Sequence, residues 1–201
     1  MASEIKTNKI SPATGTAFTL GDSGDTFTVP SGVTLTNNGI ASGFGGGKVL
    51  QVVNATKSDT NSTTSNSSVT TGLEASITPS ATSSKVLVLI SFAYSGDQDV
   101  NAVFQLNRDS TAIHLGDAGG NRVRSSAGAL YQRNNTLDVY NSSINCLDAP
   151  STTSSVTYKL MYFVGRSAST NAVFLNRSVN DLDNDSYKRS ISSITLMEIG
   201  A

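Results

Sequence analysis

Few side chains in this 201-residue chain are equipped for chemistry, and their spacing decides what they can do. There is one histidine, His114, set between Ile113 and Leu115, and one cysteine, Cys146, far from it in sequence. A zinc site needs three or four ligands at short spacing, which this pair does not supply. His114 is expected on the solvent side of a strand, and Cys146 as a small buried apolar residue. A reactive thiol needs an activating base or metal beside it, and none is near Cys146 in sequence. Gly21-Asp22-Ser23-Gly24 matches four residues of the trypsin-like nucleophile motif. Asp25 then stands where that motif has glycine, and the sole histidine follows the serine, the wrong order for that family, so no triad can be assembled.

Carboxylates offer the remaining candidates. Asp181, Asp183 and Asp185 alternate along one run and are the best, though weak, ligands for a hard cation such as calcium. An EF-hand loop would place Gly and Glu where Ser186 and Ser192 stand, so the run reads first as an acidic turn with no metal. Asp97 and Asp99 would serve as a sugar-cleaving pair only in a cleft, and nothing in the sequence indicates one. Arg122, Arg124 and Arg133 beside Tyr131 form a loose basic stretch, read as a solvated strand face or a contact to an anionic glycan or a neighbouring subunit. No catalytic and no cofactor-binding residues emerge, and the expectation is a protein that is not an enzyme.

The elements that must carry these residues follow from composition. Ser and Thr together number 54, with 17 Asn and 17 Gly, and there is no Trp. These residues favour caps, turns and extended backbone over helix interiors. With 37% hydrophobic residues and a net charge of −1 the chain is not of disordered type. Many short strands joined by polar turns are expected. The near-zero charge argues against a nucleic-acid binder, which needs a basic face. The longest apolar run, Val86 to Ile90, is too short to span a bilayer, so no membrane insertion is expected. Met1 to Lys6 lacks the apolar core of a signal peptide, and the single cysteine fits synthesis in a reducing cytosol. Asn-x-Ser/Thr sequons, among them those at Asn54, Asn61, Asn66, Asn141, Asn176 and Asn184, then read as by-products of composition.

Three regions are expected. Residues 1–43 form an N-terminal anchor or stem, with short β-runs at Thr16–Leu20, Thr26–Val29 and Val33–Thr36, each followed by a turn signal. Apolar and Thr residues alternate in each run, so one face is apolar and must be covered, preferably by sister chains. Residues 44–47 are a Gly linker without the spacing of a phosphate-binding loop. Residues 48–201 read as a jelly-roll-like antiparallel β-sandwich knob, making the fold class all-β. Its strands are expected at Val49–Thr56, Leu73–Thr78, Lys85–Tyr94, Ala102–Asn107, Ala112–Leu115, Ala127–Gln132, Thr136–Leu147, Ser155–Gly165, Ala172–Asn176 and Ile191–Ile199. Val86–Ile90 is apolar on both faces, as an inner strand would be. In 156–164, Val156, Tyr158, Leu160, Tyr162 and Val164 share one face. Ser58–Thr71 is an exposed loop or a polar edge segment. Asn101–Arg108 echoes Asn171–Arg177, either by coincidence or as two equivalent strands of a Greek-key pair.

Several segments resemble virion surface proteins of marine tailed phages, of the tail-fibre-like and capsid-decoration kind. They are 1–10 (MASEIKTNKI), 71–80 (TGLEASITPS) with 84–88 (SKVLV), 147–153 (LDAPSTT) before Tyr158-Lys159, and 193–199 (SITLMEI). The resemblance implies a β-sandwich knob, a homotrimer, no catalysis, and residence on a virion surface after assembly in a bacterial cytoplasm. On that reading residues 1–43 contact other virion proteins, and polar loops meet solvent or a host surface glycan. Tail fibre or appendage comes first, with capsid decoration or head fibre as the alternative. A carbohydrate-binding adhesion module is the alternative of another class, although sugar sites usually rely on aromatic platforms and the 6 Tyr and 7 Phe fall mostly in strand runs.

Overall fold

In a computed structural model of the chain, the described residues are 10–12, 14–15, 17, 19–26, 28–34, 36, 49–131, 136–165 and 170–200, the side chains of 129–131 excepted. The chain divides into two compact units, Met1–Phe44 and Gly45–Ala201.

The described part of the first unit is built from turns. The Asp25 N–H donates to the Asp22 carbonyl at 3.1 Å, and the Asp22 N–H donates to Asp25 Oδ2 at 2.8 Å. Gly21 and Gly24 bracket this turn with φ of 74° and 98°. A second turn closes from the Val33 N–H to the Pro30 carbonyl at 3.2 Å. Gly32, at φ 84°, supplies the left-handed third position of a type II turn. No strand forms among the described residues before Val49. The expected β-runs fall partly on residues 16, 18, 27 and 35, which lie outside the described residues. The turn signals act as anticipated. Ile10, Leu20 and Val33 stand exposed. The 44–47 linker lies outside the described residues.

The second unit is all-β. Its strands are β1 (Val49–Lys57), β2 (Asn61–Thr63), β3 (Val69–Ile77), β4 (Lys85–Gly96), β5 (Asn101–Arg108), β6 (Thr111–Ile113), β7 (Ala127–Tyr131), β8 (Tyr140–Asp148), β9 (Val156–Val164), β10 (Val173–Leu175) and β11 (Ser192–Ile199). They form two antiparallel sheets. Sheet A runs β1-β11-β4-β10-β2, with β8 on the other side of β4, and sheet B runs β3-β9-β5-β6, with β7 also on β5. The expected jelly-roll-like sandwich is the observed architecture.

Period-two patterning explains the packing. In β9 every second residue, from Val156 to Val164, is buried, and β11 repeats the pattern with Ile194 and Leu196 inward. Phe92 of sheet A meets Phe104 of sheet B at 4.7 Å between ring centroids, and Tyr94 meets the same ring at 4.8 Å. These tilted aromatic contacts stitch the sheets at the middle of the core. Cys146 is buried in β8, as expected.

Polar groups fix the ends. Arg108 Nη1 donates to Asp148 Oδ2 at 2.8 Å, and the Tyr158 hydroxyl donates to the same oxygen at 2.7 Å. This clasp ties the ends of β5 and β9 to the end of β8. Burial, reinforced by the Asp148 charge, pushes the Tyr158 hydroxyl far above its ordinary range. At the opposite end Asn176 is fully buried with a left-handed φ of 61°. Its Nδ2 donates to the Lys57 and Asp59 carbonyls at 2.7 and 3.0 Å, and its Oδ1 accepts from Ser192 Oγ at 2.6 Å.

Two expectations are refined. Ser58–Thr71 contains β2, an edge strand paired to β10, and fully buried Thr71, whose hydroxyl donates to the Leu160 carbonyl at 2.7 Å. The echoed segments lie in opposite sheets. Phe104 joins the core, while Phe174 lies outside it, with the Arg177 guanidinium 4.0 Å from its ring centroid. They are therefore not equivalent strands.

Candidate interaction face

Inner-face residues of sheet A are apolar because they meet sheet B. Its outer face meets no second sheet among the described residues, yet the strand registers assemble an apolar row on it. Leu147 of β8 lies opposite Leu87 of β4, Leu87 opposite Met197 of β11, and Met197 opposite Val52 of β1. With strands about 4.8 Å apart, the row crosses roughly 15 Å of surface. Leu147 is 56% exposed and Val52 55% exposed, while Leu87 and Met197 are half-buried. A bulge at the start of β1 adds exposed Val49 and Leu50 beside Ile199.

The next two rows change character without gaining charge. Asn145, Leu89, Thr195 and Asn54 form one, and Ser143, Ser91, Ser193 and Thr56 the other. Asn54 Nδ2 donates to Thr195 Oγ1 at 2.8 Å, bridging the two strands. Across three rows of four strands, no side chain is ionisable. An exposed sheet face and its edge strands ordinarily carry charges, lysine above all, to block association. Depletion of charge around an apolar centre is instead the composition of an interface core.

Beneath this face lies one buried acid. Glu198 is 1% exposed on the inner side of β11. Burial works against its charge, but donation from Gln51 Nε2 at 2.6 Å, the Ser80 N–H at 2.7 Å and the Ser80 hydroxyl at 2.6 Å outweighs burial. The carboxyl is held down at about 2. It pins β1 and the Thr78–Ser80 turn at the apolar end of the sheet.

The residues singled out from sequence are dispersed. His114 is exposed at a bend just after β6 with a left-handed φ of 53°, not on a strand face. Burial pushes the Cys146 thiol up, which opposes thiolate chemistry. Asp181 is engaged by Arg189, whose Nε and Nη2 donate to its two oxygens at 2.8 and 2.6 Å. Asp183 and Asp185 sit in the following exposed turn. Among the described residues no three His, Cys, Asp or Glu side chains gather as a metal site would require, so the alternate spacing does not bring the three aspartates together. Asp97 is structural: its Oδ2 accepts from the Ala172 N–H at 2.7 Å. The basic stretch is turned onto its own backbone, with Arg122 Nη1 donating to Gly119 and Arg124 Nε to Gly116. Arg133 lies outside the described residues. Asp22 and Ser23 belong to the turn described above.

Sequence reasoning missed the row itself. Its only trace was Val86–Ile90, apolar on both faces. Leu147, Met197 and Val52 each look unremarkable alone, and only register aligns them.

No family model matches the chain, and no curated protein matches it. Among solved structures, the infectious bursal disease virus Gx strain structure aligns at 10% identity with a TM-score of 0.41. The alignment covers 85% of this chain and 44% of that one. The VP2 subviral particle of infectious bursal disease virus aligns at 10% identity and a TM-score of 0.36, covering 74% and 39%. This chain thus spans less than half the length of either.

Proposed function

We propose that the chain is a non-enzymatic structural component of a virus particle, displayed at its surface as a homotrimer. The observation that carries this reading is the uncharged three-row patch on the outer face of sheet A, bordered by exposed Lys85, with Leu147, Leu87, Met197 and Val52 in one cross-strand row. A specific protein interface hides about 800 Å² on each partner. The apolar row has the place of its centre, and the Ser, Thr and Asn rows that of its wetter margin. Copies of this chain are the partner favoured here, because each brings the same uncharged patch. The exposed apolar residues of the first unit, Ile10, Leu20 and Val33, support a second contact, to neighbouring virion proteins. The segments 1–10, 71–80 with 84–88, 147–153 before Tyr158-Lys159, and 193–199 that resemble phage virion surface proteins support a tail fibre or appendage. Capsid decoration or head fibre is the other placement on the same particle.

Light scattering of the full chain tests the reading. A mass three times the 20.9 kDa of one chain is expected. Deletion of residues 1–43 should leave that mass ratio unchanged, because the proposed contact lies in the sandwich. A full-length chain that stays monomeric at the highest soluble concentration sinks the proposal.

A further inference from the structure

The two sheets end in six strands, and five of them are poorly suited to further pairing. β2 and β6 are only three residues long. β7 has five residues and a broken register. β1 opens with a bulge, ends in Lys57 and runs alongside β3. β3 has its register broken between Thr70 and Glu74, with Gly72 at a left-handed φ of 80°. Its Thr71 carbonyl is taken by Asn61 Nδ2 at 3.1 Å. Short length, bulges and charge are the devices that keep an edge from pairing with another chain.

β8 has none of them. Its nine residues, Tyr140–Asp148, contain no Lys, Arg, Pro or Gly. Its ladder with β4 runs unbroken from Tyr140 to Asp148. Its one carboxylate is held by Arg108. Every second residue of such a strand turns its N–H and C=O away from the neighbour it is paired with. Among the described residues, no strand and no backbone hydrogen bond meets that open side. The open edge is about 30 Å long.

We infer that β8 pairs antiparallel with β8 of a second copy of this chain, joining two A sheets into one. The strand is complementary to itself. With Ile144 opposite Ile144 of the second copy, all nine residues pair. Ser143 then lies against Asn145, and each of these side chains can donate and accept. The two Asp148 carboxylates stand at opposite ends of the ladder, so like charges do not meet. Buried Ile144 and Cys146 stay on the inner side of both sheets. Such a contact has a twofold axis. A trimer has none, so the contact goes beyond the proposed assembly: it links one assembly to the next and does not require the trimer. One strand edge covers less than the roughly 800 Å² per partner of a stable interface. The contact is therefore weak alone, with a dissociation constant on the order of 0.1–1 mM. It gains weight where many copies are held side by side.

The test is light scattering of the full chain from about 5 μM to about 1 mM, with residue-resolved hydrogen exchange at both ends of the range. The mass should approach twice its low-concentration value. Alternate amides within 140–148, those not already bonded to β4, should gain several-fold protection. Ser142→Lys and Asn141→Lys each place a lysine on the edge and should raise the dissociation constant about tenfold or more. Asn141 is exposed, so its lysine leaves the sandwich intact. Both residues lie outside the three rows of the outer-face patch, so the low-concentration mass should match that of the parent. A mass that does not rise by about 1 mM overturns the inference. So does a rise that both lysine variants leave unchanged, or one without alternate protection in 140–148. The low-concentration mass reports the trimer separately, so failure of either proposal is seen apart from the other.

Discussion

On sheet A, three cross-strand rows of outward side chains carry no ionisable group, and the exposed apolar ones among them are Leu147 and Val52. On sheet B, the corresponding surface sets Glu74 opposite Lys159 and Lys159 opposite Asn107, with Asp109 at the hairpin tip. Both faces are outer surfaces of antiparallel strands whose inner residues follow the same alternation. The difference therefore comes from what each face must meet rather than from how the strands fold. A face destined for another protein sheds charge, because an unpaired charge taken out of water costs several kcal/mol. A face that stays in water keeps it, and can use fixed charges for recognition.

Putting a charge on each face breaks the comparison most sharply. Val52→Asp with Leu147→Asp should convert the proposed trimer to monomer, with the association constant falling more than about 100-fold. Gln105→Glu, on the outer side of sheet B, should leave the mass unchanged. If both variants dissociate equally, or neither does, the assignment of the interface to sheet A fails.

The two buried asparagines give the next test. Asn176 has every amide atom bonded, tying β1, β10 and β11 together. Asn176→Ala should therefore destabilise the sandwich by about 3 kcal/mol in urea unfolding, from lost bonds and carbonyls left unpaired. Full bonding and burial of this amide also mean that its sequon cannot be glycosylated in the folded protein.

Glu198 supplies a pH dependence. Its folded value of about 2 lies below the ordinary 4.5. Its contribution is complete above pH 4.5 and is lost as pH falls from there toward 2. Thermal unfolding across that range should show a loss of about 2 kcal/mol after solvent screening. Glu198→Gln should flatten that segment of the profile; an unchanged slope would mean the carboxylate is not held as described.

The smallest effect belongs to Asn107. Because its Oδ1 already lacks a partner, Asn107→Ala should change stability by less than about 0.5 kcal/mol. A loss comparable to that of Asn176→Ala would show that Asn107 is bonded in solution.

Much of this architecture was legible in the residues. Val156 to Val164 announces one buried face, and the two-faced run Val86–Ile90 announces the central strand β4, because burial imposes a period that survives in a single sequence. β2 was not legible. Asn61-Ser62-Thr63 has no apolar signal, and it is a strand only because β10 offers a backbone ladder. Local pattern reports a strand's capacity, whereas pairing decides it. The candidate face was hidden for the same reason, since Val52 and Met197 are 145 residues apart, with Leu87 and Leu147 between them, and only register brings the four into line. The Asp181 run misled because spacing cannot reveal that Arg189 returns to occupy the first carboxylate.

The pairing of β1 with β11 sets Val49 beside Ile199, so the polypeptide enters and leaves the sandwich at one corner. A force applied across that entrance and exit would open the two strands like a zip, one rung after another, instead of shearing all rungs together. The module is thus mechanically soft along its own backbone. A particle that must withstand impact would do best to load it through its broad faces.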